Sequence, residues 1–257
     1  MADKRILGKR QILTTISIGF LLISFACIGI FAYLHSEDTV TNRLAAHHPS
    51  VALAEPQWYA QGMKKAEASE PGMLIEKNPY AWNDGDIDIY VRIKMEISVT
   101  ESQNKNLSDT AEGSEIGKLS AVEVRNKILC ALTLNDGKTP LVTSIDNDGN
   151  IAINHSMFNC ESAEQCDYAV EKVDDFTYYF YFVKNAVTDN LDSSELIILH
   201  PNENSAELFN YVNIPIYKKD YLGVFDQNYQ IQLIAEAVPV ESCQNNTVSE
   251  YKRVSAI

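Results

Sequence analysis

The sequence predicts an all-β protein, an antiparallel β-sandwich or barrel preceded by one N-terminal hydrophobic helix. Three observations carry that expectation. An uncharged run of 23 residues, Ile12–Leu34, stands near the start of the chain. Downstream, apolar residues recur with a period of two rather than 3.6, most plainly over residues 87–99. The rest is rich in Tyr (13) and Phe (9) and is broken by turn residues into short apolar runs, as in sandwiches and barrels.

The hydrophobic run follows Lys4, Arg5, Lys9 and Arg10. As a helix it would extend roughly 34 Å, enough to cross a bilayer core of about 30 Å. Its basic flank would stay in the cytoplasm, so everything after Leu34 is expected outside. Two readings of the run stand. It is longer than the apolar region of about 7–15 residues found in signal peptides, which favours a retained membrane anchor. The other reading, a cleaved signal, rests on its last residues, Phe31-Ala32-Tyr33-Leu34, whose step into His35-Ser36-Glu37-Asp38 resembles a known signal-peptidase junction.

Residues 1–34 are accordingly read as signal peptide or membrane anchor. Residues 35–50 form a polar, flexible lead-in, and 51–257 one β-sandwich domain with a polar insertion at 101–117. The chain carries 21 basic and 35 acidic residues. Residues 1–32 hold four of the basic and one of the acidic groups, so the exported part has 17 against 34, a net charge of −17. Such a surface repels itself and nucleic acid alike, which excludes nucleic-acid binding.

Cys27 lies in the hydrophobic run, leaving Cys130, Cys160, Cys166 and Cys243. An even number of cysteines in an oxidising compartment points to disulfides, with three possible pairings. The expected set is Cys160–Cys166 as a short loop staple and Cys130–Cys243 as a long-range clamp. The clamp would add roughly 4–5 kcal/mol in the chain-entropy account. Zinc is the rival reading, disfavoured because no C-x2-C pair is present.

Along the chain, Val51–Glu55 reads as a strand stopped by Pro56, and 61–70 as a loop or short helix. Pro71-Gly72 marks a turn. Ile87, Ile89, Val91, Ile93, Met95, Ile97 and Val99 alternate with polar residues, the signature of a half-buried strand. Asn83-Asp84-Gly85 supplies turn chemistry before it. Residues 119–132 fit a strand or a helix equally. Further strands are expected at 141–145, 151–154, 176–183, 196–200, 211–216 and 229–238. Phe176, Tyr178, Phe180 and Phe182 would share one face; Tyr229, Ile231, Leu233, Ala235 and Ala237 would share another.

In order along the chain stand Ser36-Glu37-Asp38-Thr39, Leu53-Ala54-Glu55-Pro56-Gln57-Trp58, Pro71-Gly72, Lys77 with Asn78-Pro79, and Asn83-Asp84-Gly85. Tyr90-Val91-Arg92-Ile93-Lys94, Tyr178-Tyr179-Phe180-Tyr181, Glu207-Leu208-Phe209-Asn210-Tyr211-Val212-Asn213-Ile214-Pro215 and Ala235-Glu236-Ala237-Val238 follow. This ordered set resembles the TasA/camelysin-like proteins of Gram-positive bacteria, exported through the SipW signal peptidase. The resemblance implies a jelly-roll β-sandwich, cleavage near Ala32 and Tyr33, and a place at the cell surface or in the extracellular matrix. The cysteines and the 101–117 insertion depart from the family's usual pattern.

Camelysin-like proteins have been labelled metalloproteases, an activity that needs metal ligands and a general base. The chain has His35, His47, His48, His155 and His200 but no H-E-x-x-H, the helical zinc motif in which Glu acts as base. Asp146-Asn147-Asp148-Gly149-Asn150 resembles the start of a calcium loop, yet Ile151 and Met157 stand where an EF-hand needs Gly and Glu. Asp84, Asp86 and Asp88 read as solvated turn acids. No G-x-S-x-G elbow and no Cys–His nucleophile pair is evident.

No catalytic, cofactor or metal residue is therefore assigned, and the expected partners are signal peptidase, the membrane before cleavage, and other copies or matrix proteins. The segment Tyr33–Val51, with Thr39-Val40-Thr41, is expected to add as a strand to a neighbouring subunit; the alternative is that it folds back as the first strand of its own sandwich. The alternatives are a camelysin-like metalloendopeptidase and a membrane-anchored binding module.

Overall fold

In the computed structural model, residues 49–67, 72–100, 120–155, 158, 165–186, 190–213 and 228–256 are described. The hydrophobic run, the Ala32–Tyr33 junction, the lead-in to residue 48 and the 101–117 insertion lie outside them. The elements begin with β1 (Ala52–Ala54), then a wide helical turn over Trp58–Gly62 that continues as α1 (Met63–Glu67). Next come β2 (Leu74–Glu76), β3 (Tyr80–Trp82), β4 (Ile89–Thr100), α2 (Ala121–Ala131) and β5 (Leu132–Thr133). β6 (Val142–Ile145), β7 (Ile151–Ile153), β8 (Asp167–Lys172) and β9 (Thr177–Val183) follow, then β10 (Tyr211–Asn213), β11 (Asn228–Pro239) and α3 (Val248–Ser255). Every described pairing between strands is antiparallel, and the fold is all-β with few helices.

The principal sheet has the order β11-β4-β9-β8. Its long strands arise where alternation is longest, because a period of two lets one whole face enter the core. Ile89, Val91, Ile93, Met95 and Ile97 of β4 are at most 2 % exposed. On β9 the inward residues Tyr178, Phe180 and Phe182 are fully buried, and Tyr168 of β8 meets Phe182 at 5.6 Å between ring centroids. Against this face pack residues of the three-stranded sheet β2-β10-β5, of β3, of the β6–β7 hairpin and of α2. The Tyr168 hydroxyl donates to the Ala206 carbonyl at 2.5 Å, so this fully buried phenol is paired.

The stretch left open between strand and helix is helical. Ser120 caps α2: its hydroxyl accepts from the Glu123 amide at 3.2 Å, and Glu123 returns a bond to the Ser120 amide at 2.7 Å. That is a capping box, followed by the inward residues Val124, Ile128 and Leu129 at helical spacing. The 196–200 strand is not formed. Leu196 and Leu199 make only single bridges, to Val183 and Ile89, and a loop runs between them.

The expected Cys130–Cys243 clamp is also corrected, since both are free thiols. Cys130 lies on α2, whose buried residues join the inner core, while Cys243 packs with Tyr90 and Tyr251 on the opposite face of the principal sheet. A disulfide needs Cα atoms within about 7 Å, which elements on opposite faces of a sheet cannot supply. Cys166 is disulfide-bonded, with its partner outside the described residues, and Cys160 also lies outside them.

Candidate functional site

The outer face of the principal sheet is where distant sequence motifs meet. Alternation turns Arg92 and Lys94 outward while Val91 and Ile93 turn in. The register then sets Arg92 opposite Glu236 of β11 and opposite Tyr181 of β9. The Arg92 guanidinium donates through Nε to Glu236 Oε2 at 2.7 Å, and its Nη2 is 2.6 Å from the same oxygen. Its carbon stands 3.7 Å from the centroid of Tyr179 and 5.1 Å from that of Tyr251. Such stacking suits a planar, weakly hydrated cation.

The network continues beyond Arg92. Tyr181 donates its hydroxyl to Glu171 at 2.6 Å, and burial pushes the Tyr181 phenol pKa up, so it stays a donor. Lys252 of α3 then pairs with Glu171 at 2.9 Å and Asp192 at 2.8 Å. With Val248 and Tyr251 fully buried beneath it, α3 is held across one end of this face. The Tyr251 hydroxyl donates to the Glu236 carbonyl at 2.9 Å.

A second convergence lies around β2 and β3. Asn78 donates to Glu207 at 2.6 Å and accepts from the Gln57 amide at 3.0 Å, while Lys77 and Asn210 share a backbone bond of 3.0 Å. Asn83 is wholly buried: its amide nitrogen donates to the carbonyls of Ile87 and Leu199, each at 2.8 Å, and its oxygen accepts from Gly85 at 3.1 Å. The motif residues thus have their partners within the fold. They brace turns and join layers.

The candidate ligand groups are likewise engaged. Asp146 accepts from the amides of Asp148 and Asn150 at 2.9 and 2.8 Å, closing its own loop. Gly149 takes φ +81° there, the left-handed region that suits glycine, beneath the Arg125 guanidinium. His200 pairs with Asp88 at 2.8 Å and His155 with Asp167 at 2.9 Å, on separate loops. His35, His47 and His48 lie outside the described residues. Among the described residues no group of three or more His, Cys, Asp or Glu could hold a metal ion. Nor is any described helix long and apolar enough to cross a membrane.

The hydrogen bond to Asp167 raises the pKa of His155 in the folded state. The pair therefore adds its full stability below about pH 6.5 and loses it as pH rises through the folded-state value. His155→Gln is expected to flatten the fall in unfolding midpoint between about pH 6 and pH 8, measured by urea titration at several pH values. His200, whose pKa is raised by its bond to Asp88, leaves a residual slope of the same sign. An unchanged profile in the variant would show that the His155 pair adds nothing.

Fold and site together define an antiparallel β-domain whose recurrent motifs tie its faces and turns together. The chain matches the camelysin metallo-endopeptidase family over residues 8–197, and it belongs to that family. No curated protein and no solved structure matches it.

Proposed function

We propose that the chain is an exported structural protein of the cell surface or extracellular matrix, a fibre subunit that assembles by strand addition. The observation that supports this reading is the state of β11. It is a 12-residue edge strand paired, among the described residues, with β4 alone. Its inward residues Tyr229, Ile231, Leu233, Ala235 and Ala237 are only partly buried, although Ile97, Met95, Ile93 and Val91 of β4, beside the last four, are sealed. Ile234 on its outer side is 36 % exposed. A long edge with half-covered apolar residues is a template for another strand. The segment Tyr33–Val51 of a second copy is the assigned occupant, freed by cleavage at Ala32–Tyr33. Head-to-tail addition of this kind generates open filaments.

Electron microscopy of the mature protein should show fibres that disappear when residues 33–46 are deleted. Fibres that persist in the deletion would overturn the strand-addition reading. The family's own description supports a second reading, a metallo-endopeptidase. Casein hydrolysis by the same preparation, abolished by chelator and restored by a divalent cation, would decide for that activity.

A further inference from the structure

Glu55 and Lys77 form a closed ion pair that neither assembly nor proteolysis requires. Lys77 Nζ stands 2.6 Å from Glu55 Oε1, and their side chains are only 10 % and 9 % exposed. The contact lacks hydrogen-bond geometry, so Oε1 is buried without a hydrogen-bond donor although the amine touches it. The indole of Trp58 lies over the amine, 4.6 Å from Nζ to the ring centroid. Gly62 makes this placement possible: a Cβ there would strike the Glu76 carbonyl and the Trp58 ring. The site is an amine and a carboxyl group in contact, walled from water by an aromatic face.

We propose that Lys77 and Glu55 condense to an intramolecular amide, cross-linking the end of β1 to the end of β2. Proton transfer within the pair first gives a neutral amine and a neutral acid. The lone pair on Nζ attacks the Glu55 carboxyl carbon, forming the C–N bond. The C–O bond to one carboxyl oxygen then breaks, and that oxygen leaves as water with the acid proton and one proton from nitrogen. The sum is ammonium plus carboxylate giving amide plus water, with no oxidant and no cofactor. Fixed proximity replaces an external activating group, since oriented intramolecular partners reach effective concentrations far above any solution value.

The test is the mass of the mature exported protein after full reduction of its disulfides. It should fall one water below the mass of its own sequence, while Lys77→Arg and Glu55→Ala each restore the full mass. Trypsin does not cut after an acylated lysine, so the wild-type digest should contain residues 44–64 joined to residues 66–92 as one branched species. Recovery of separate peptides 66–77 and 78–92, or of the full sequence mass, would overturn the proposal. A water lost within a linear peptide 78–92 would overturn it too, since that loss would lie at Asp84-Gly85. The wild-type measurement decides even if a variant fails to fold.

Discussion

Replacing Arg92 with Ala is expected to destabilise the domain by about 3 kcal/mol, near the lower end for breaking a largely buried ion pair. The lower end applies because Glu236, its carboxylate partner, keeps 32 % of its side chain exposed. The loss has three parts: the Glu236 pair, the bond to the Tyr181 hydroxyl at 3.2 Å, and the stack against Tyr179 and Tyr251. Arg92→Lys keeps the charge but loses the planar stack and the forked donors, so an intermediate loss of about 1–2 kcal/mol is expected. Urea denaturation of both variants, followed by far-ultraviolet circular dichroism, reads these differences. A loss below about 0.5 kcal/mol for Arg92→Ala, the range of ordinary surface substitutions, would mean that the outer-face network is decorative.

The second large effect is expected at Asn83. Asn83→Ala strands the Ile87 carbonyl and the Gly85 amide, and it takes one of two donors from the buried Leu199 carbonyl, which keeps the Ile89 amide at 3.1 Å. Each buried group left unpaired costs about 1–3 kcal/mol, so for these two a total of about 2–4 kcal/mol is expected when partial rehydration of the turn is allowed. Asn83→Asp should be little better: it keeps the acceptor, loses both donors and buries a charge. Wild-type stability in Asn83→Ala, measured by the same denaturation, would show that water replaces the bonds to the Ile87 carbonyl and the Gly85 amide.

These two residues mark what sequence reveals and what it hides. The long strands β4 and β11 were legible because alternation persists for nine residues or more, and the face assigned to Leu233 follows from it. Strands β2, β3 and β5 are two or three residues long, too short for any period to register, and they exist only because β10 and β1 pair with them. The helix α2 was readable in principle from Ser120-Ala121-Val122-Glu123, a capping box that alternation of Val and Leu obscured. Arg92 stood in a recognisable motif, yet its partners lie 144 and 89 residues away in sequence. No local pattern specifies such a meeting. Only the register of the sheet brings Glu236, Tyr181 and Arg92 together. The same limit explains the cysteines: an even number proposes bridges, but the side of the sheet on which each falls decides them.

The place of β4 in the middle of the principal sheet also governs when the domain can become itself. Residues 89–100 leave the ribosome early, carrying one fully apolar face. Their neighbours arrive late, β9 about ninety residues on and β11 only at 228–239. Contacts so distant in sequence slow folding, typically into the millisecond-to-second range. Until β11 is available, β4 keeps a bare edge, and until α3 closes, Arg92 and its tyrosines face water. The nascent chain therefore passes through a prolonged, sticky and unfinished state, a hazard for a strand-rich protein and a fit substrate for anything that must thread it unfolded. Completion waits for residues 228–255.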